Sequence, residues 1–109
     1  MPWLLRDEEV LAALEVADSR SSRRKGLLGR DTIDGALLLR PARSVHTVGM
    51  RFPIDVAFCD AEMTVVATAC MARHRIGRPR LRARSVIEAE AGAFERWRLA
   101  VGDRLEVRE

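Results

Sequence analysis

Apolar and polar residues alternate with a period of two along most of the chain, which predicts strands rather than long helices. Over residues 11–17, Leu14 and Val16 share one face against Glu15, and Asp18 and Ser19 close this first strand. Residues 36–40 form a short apolar run ended by Pro41. Two further strands are predicted at 44–48 and 54–59, separated by a bend between Gly49 and Pro53. In the second of these, Ile54, Val56 and Phe58 share one face, and Asp55, Ala57 and Cys59 the other. A turn at 60–62 leads into a long strand over 63–71. Residues 85–91 return to strand, with Val86 and Ile87 on opposite faces, and residues 92–97 suit one helical turn. After the turn signal of Gly102 and Asp103, Leu105 and Val107 alternate with Arg104, Glu106 and Arg108 in a last strand. Those charges blunt a sheet edge, which favours a monomer.

One stretch reads as helix. Asp18 or Ser19 can cap a helix over about residues 20–28. Arg20, Arg23, Arg24 and Lys25 would face water, with Leu27 and Leu28 inward and Gly29 as the C′ residue. So short a helix is not stable alone and must lie on the sheet. The pattern therefore predicts a mostly β fold: a compact β-sandwich or partly open barrel, with one short N-terminal helix packed on it. Residues 73–84 break the alternation with six arginines and His74, and read as a surface loop.

With 109 residues the chain has room for one core, so residues 1–109 form a single domain. The 48% of hydrophobic residues suffices to pack it without metal or disulfide. Cys59 and Cys70 fall out of register in the 54–59/64–71 hairpin, where Cys59 faces residue 64 or 65 and Cys70 the region of Pro53. Both are expected to be buried free thiols, as in a reducing compartment. The N-terminus holds too short an apolar run for a signal peptide, and no stretch is long enough for a membrane span, so the expected location is cytoplasmic. The formal net charge is +3, a surplus that permits an electrostatic partner without demanding one.

The densest chemistry lies in residues 45–58. If the chain reverses at Arg51, Thr47 lies opposite Asp55 with Cβ atoms about 5 Å apart. His46 would stand beside them, and a histidine near a carboxylate is the raw material of an acid–base pair. The plainer reading weighs more: Asp55 accepts backbone N–H bonds at the bend, Thr47 donates its hydroxyl, His46 is structural and Met50 packs. The arginine loop offers a second constellation, in which Arg73, Arg75, Arg78 and Arg80 could grip phosphate or carboxylate groups, against the alternative of a solvated face. No metal-ligand spacing, phosphate loop or nucleophile elbow is present, so no metal and no cofactor is expected. Five aromatic residues and no tyrosine give no stacking platform, and Glu88 and Glu90 dilute the basic field. Nucleic acid is thus an improbable partner.

Several phrases resemble a known family: VADS and RRKGLLGR within 16–30, GALLL at 35–39, VHTVGMRFPIDVAFCD at 45–60, VIEAEAG at 86–92 and VGDRL at 101–105. In order and spacing they are similar to the domain of unknown function 192 family, also called uncharacterised protein family 0127, over residues 11–108. The resemblance implies a β-sandwich of jelly-roll type with a short N-terminal helix, and no established reaction. Its recurrent polar positions correspond to His46, Thr47, Met50 and Asp55, with Arg24, Gly26, Gly29 and Arg30 around the helix. Of these, His46, Thr47, Met50, Asp55, Arg24 and Arg30 are the ligand-binding candidates. Met63 stands where the family usually has glycine, which implies another turn geometry here, and Arg98 also replaces a glycine. Many relatives carry an N-terminal export signal or anchor, of which this N-terminus shows no sign.

Taken together, the sequence favours a binding module for a small polar or anionic ligand or a protein partner. The alternatives are an enzyme using His46 and Asp55 as an acid–base pair, and an accessory subunit that docks through its arginine-rich surface.

Overall fold

The computed structural model describes residues 2–109. Seven strands and two short helices follow one another as β1 (Trp3–Arg6), β2 (Glu9–Ala17), α1 (Arg20–Lys25), β3 (Ala36–Leu39), β4 (Ile54–Cys59), β5 (Val65–Met71), β6 (Ser85–Glu90), α2 (Ala93–Trp97) and β7 (Glu106–Arg108). The strands form a single open sheet in the order β5-β4-β6-β3-β2-β1-β7. β2 and β3 are parallel, joined through α1, and the other pairings are antiparallel. The mostly β class is as expected, but the strands make one sheet instead of two stacked layers. The sheet curls until its ends approach at a bridge between Thr64 and Arg104. Backbone bonds from Val65 N to Asp103 O (2.8 Å) and from Leu105 N to Met63 O (2.9 Å) flank this bridge, yet no continuous ladder closes a barrel. No helix among the described residues is long and apolar enough to cross a membrane.

Alternation along the central strands sorts their side chains into two apolar layers. Inside the curl lie Leu4, Leu14, Leu38, Ala57, Cys59, Ile87 and Phe94. The other face carries Leu37, Leu39, Ile54, Val56, Phe58 and Val86, covered by Leu27 and Leu28 just after α1 and by the irregular segments 41–53 and 72–84. Because both faces of β4 and β6 are covered, every residue of β4 is buried, as are the first five of β6. The β4 face assignment from alternation is correct, and so is the separation of Val86 from Ile87.

Several expectations need correction. The strand at 11–17 begins at Glu9, and a strand at 3–6 precedes it. Asp7 and Glu8 connect the two with φ of 51° and 67°. A two-residue hairpin with both residues left-handed ordinarily signals itself by Asn-Gly or Asp-Gly, which explains why this one went unseen. Residues 44–48 are not a strand; they run beside 72–77, joined by a single bridge from His46 to Ile76. α1 is shorter than expected, with Ser19 as its N-cap in a capping box with Ser22. Its C-cap is Gly26, at φ 47°, rather than Gly29. The β4–β5 hairpin sets Cys59 opposite Val65, within the expected register, but Cys70 opposite Asp55. Both thiols are free; Cys59 is buried and Cys70 is exposed, against the expectation that both are inside. Met63 keeps a left-handed φ of 63° without being glycine, so the turn geometry survives the replacement.

Candidate functional site

The inner strand β6 carries an acid where a covered strand has no water to offer it. Glu88 pairs in register with Leu37 of β3 and Val56 of β4, and alternation turns its side chain toward the same layer as Val86. Only 2% of Glu88 is exposed. Its Oε1 is the one buried side-chain oxygen or nitrogen without a hydrogen-bond partner among the described residues. Removal from water penalises the ionised form, so burial pushes the Glu88 carboxyl up to about 7.

Above Glu88 the last residues of α1 and the 44–50 segment leave a cavity of about 70 Å³. Such a space takes a few waters or a small polar group. Leu27, Leu39, Val45 and Met50 form apolar walls, while Arg23, Arg24, Lys25 and His46 supply the positive or polar rim. Gly26 lies over the acid: a Cβ at that position would stand 3.7 Å from Glu88 Oε1. Arg23 is fixed in place by donating to the carbonyl of Asp18 at 2.8 Å. Neither Arg24 nor Lys25 makes an ion pair among the described residues.

Thr47 holds the roof in place. It is fully buried, its hydroxyl donates to Ala72 O at 2.6 Å, and the same oxygen accepts from Arg75 N at 2.8 Å. Its backbone adds bonds from Thr47 N to Arg75 O (2.7 Å) and from His74 N to Thr47 O (2.9 Å). Met50 is buried beneath the same segment, and His74 accepts from Gly49 N at 3.2 Å through Nδ1. Thr47 therefore does donate its hydroxyl, but to the strap at 72–75 and not toward Asp55.

Asp55 belongs to the opposite side of the sheet. It shares a face with Ala57 and Cys59 and is paired with Cys70 and Ala89, so the proposed Thr47–Asp55 apposition does not form. Its Oδ2 accepts from Gly92 N at 3.0 Å and Phe94 N at 3.1 Å, which fastens the start of α2 to the sheet. This is the acceptor role expected of it, with different backbone partners. His46 is exposed on the rim of the Glu88 cavity. The sheet thus separates His46 from Asp55, and the acid–base pair drawn from the sequence has no geometry.

The remaining candidates scatter. Arg30 pairs with Glu15 on the surface. Arg80 lies over the Phe58 ring with its guanidinium carbon 5.2 Å from the centroid, while Arg75 turns back onto the carbonyls of Arg73 and His74. Arg73 and Arg78 are exposed along the same strap, and none of the four lines the Glu88 cavity. Neither cysteine is activated. Burial pushes the Cys59 thiol up to about 12, and burial and the neighbouring Asp55 carboxylate raise that of Cys70.

A family model described as DUF192, "Uncharacterized ACR", matches residues 4–107. The chain belongs to this family. A DUF192 relative from Pyrococcus abyssi, a UPF0127 protein, is 31% identical over 98 residues, covering 85% of this chain and 84% of that one. Two solved structures share the fold. A Sinorhizobium meliloti protein provisionally described as a transcription regulator superposes with a TM-score of 0.83 at 23% identity, over 97% of this chain and 91% of its own. A protein of unknown function from Novosphingobium aromaticivorans gives 0.79 at 18% identity, over 96% and 82%. Of the positions suggested by the DUF192 resemblance, Arg24, Gly26, His46 and Met50 converge on one cavity, and Thr47 braces its roof. Asp55, Gly29 and Arg30 do not line it.

Glu88 was missed in the sequence, where it counted as a surface acid diluting the arginines. The available signal was its setting: an acid within the run Ser85, Val86, Ile87, Glu88 and Ala89, a strand apolar on both faces.

Proposed function

We propose that this domain is a binding module whose ligand is a small polar molecule carrying an anionic group, held in the cavity between Glu88 and the end of α1. The observation that carries this reading is Glu88 Oε1, buried and unpartnered, facing a cavity rimmed by cationic side chains. A buried polar group without a partner costs stability, on the order of 1–3 kcal/mol, and such groups are rare in native proteins, where strain, a chemical role or a bound water or ion accounts for them. The apolar walls exclude water from the interaction, and the rim draws anions toward it. Titration of ¹⁵N-labelled protein with propionate and phosphate tests the reading. Saturable shifts confined to Gly26, Glu88, His46 and Met50 are expected, weakened in the Arg24→Ala/Lys25→Ala double variant. No shift at those amides with either anion, even at tens of millimolar, would refute the proposal.

A specific observation favours a second reading, in which a partner of acidic character docks on the strap at 72–84. Ile76 and Leu81 are 82% and 83% exposed there, among arginines that form no ion pair among the described residues. Substituting Ile76 and Leu81 by serine separates the two readings, since it leaves the Glu88 cavity intact.

A further inference from the structure

We infer that the cavity ligand is a short-chain carboxylic acid, bound as its carboxylate to a protonated Glu88 that donates its O–H to it. This rests on the binding reading above and names the chemistry of that site.

The charges around the cavity decide the sign of the ligand. From α1 come Arg23, Arg24 and Lys25; from the 44–50 segment comes His46. β3 and β4 bring Leu39, Leu37 and Val56, none of which titrates. Glu88 is the one acid that lines the cavity. A cationic ligand would have to pass three fixed positive charges, whereas an anion is drawn in by them.

Glu88 then decides how the anion is received. Two ionised carboxylates in contact repel, so an anion can settle against Glu88 only while that carboxyl keeps its proton. A neutral carboxyl presents one O–H donor, and a hydrogen bond from it to a carboxylate is charge-assisted, among the strong ones. Burial favours that same neutral form, which places the donor ready before the ligand arrives. The proton stays shared between the two oxygens, and no covalent bond is made or broken. Above neutrality, where free Glu88 has lost its proton, each ligand bound takes one proton up from solvent.

Space and lining set the size. The cavity of about 70 Å³ is floored by Glu88 and walled by Leu27, Leu39, Val45 and Met50, which suits a short aliphatic chain. Gly26 leaves the space beside the acid free of a side chain, since a Cβ there would lie in contact with Glu88 Oε1 at 3.7 Å. Its φ of 47° also favours glycine on backbone grounds.

The test is a titration of the full chain with propionate, inorganic phosphate and ethylamine at about pH 6 and about pH 8.5, read by amide shifts and by calorimetry. Propionate is expected to bind at the lower pH and to weaken about tenfold per pH unit above the Glu88 transition, as one-proton linkage requires. In two buffers of different ionisation heat, the calorimetric signal at the higher pH should report uptake of about one proton. Glu88→Gln, which keeps a neutral donor, should bind propionate with little pH dependence. Histidine changes charge in the same range, so His46→Gln is run alongside and should retain the linkage. Binding of ethylamine in preference to propionate overturns the inference, as does propionate binding of equal strength at both pH values in the unsubstituted protein. Phosphate binding at the same amides without propionate binding overturns the carboxylic acid but leaves the anion-binding reading standing. Silence with all three probes removes both. Glu88→Gln must give a native amide spectrum, and if it does not, proton uptake by the unsubstituted protein decides the matter alone.

Discussion

Glu88 Oε1 lies beneath Gly26, 3.7 Å from the point where a Cβ would project, and no group among the described residues donates a hydrogen bond to it. The acid is therefore sheltered without being satisfied. Its carboxyl titrates near 7 when folded against an ordinary value of 4.5, and stability must follow. Between these values the folded state holds a proton that the unfolded chain has released. Stability is therefore greatest below about 4.5 on this account, falls as pH rises toward 7, and levels off above it. The full difference is about 3 kcal/mol at 1.36 kcal/mol per pH unit. Glu88→Gln should abolish this component and exceed the unsubstituted protein in stability at pH 8, with little difference at pH 4. Urea unfolding of both proteins across that range measures it, and parallel curves would show that Glu88 does not titrate as described.

Asp55 is a fastener, and its removal should be felt in α2. Asp55→Ala leaves the Gly92 and Phe94 N–H groups without their acceptor, at a cost of about 2 kcal/mol. Hydrogen exchange at those two amides should accelerate selectively, while any propionate response at the Glu88 cavity persists. Loss of the propionate response in folded Asp55→Ala would place Asp55 in the site after all.

Arg98 ends α2 at φ 54°, ψ 39°, a left-handed conformation that a Cβ makes unfavourable. The side chain is exposed and makes no hydrogen bond among the described residues; the bonds here belong to the backbone, whose N–H donates to Glu95 O at 3.1 Å and whose carbonyl accepts from Arg6 at 3.0 Å. Arg98→Gly should therefore raise stability by about 1 kcal/mol and move the thermal midpoint up by several degrees. A lowered midpoint would mean that the arginine side chain contributes more than its backbone costs. Met63, also left-handed, is a poorer test because its half-buried side chain packs against the core and its sulfur accepts from Ser85 Oγ at 3.5 Å.

Strand alternation carried the reading of the sequence furthest where a strand has one regular partner on each side. β4 is the clearest case: its two faces, and the opposition of Cys59 to the start of β5, follow from Ile54, Val56 and Phe58 alternating with Ala57 and Cys59. The same reasoning failed at 44–48, because that segment is irregular chain tied to 72–77 through Thr47 rather than to β4. Local pattern cannot register a partner some 25 residues away. It failed again at Glu88, since an acid in a strand reads as solvent-facing unless both faces of that strand are already known to be covered. The sequence thus reached four of the cavity's residues through family resemblance, and missed the one at its floor.

β1 and β7 meet at the seam of this fold. β7 lies along β1, with Val107 opposite Leu4, and the residues just before it reach the opposite margin of the sheet at Thr64. Arg6 also reaches from β1 to Asp103 and to the carbonyls of Trp97 and Arg98. β1 and β2 are neighbours in sequence and can pair early, whereas the curl is fastened by pairings far apart in sequence, such as Leu4 with Val107, whose loop closure comes late. Replacing residues 106–108 would strip β1 of its outer partner and open the seam at that edge.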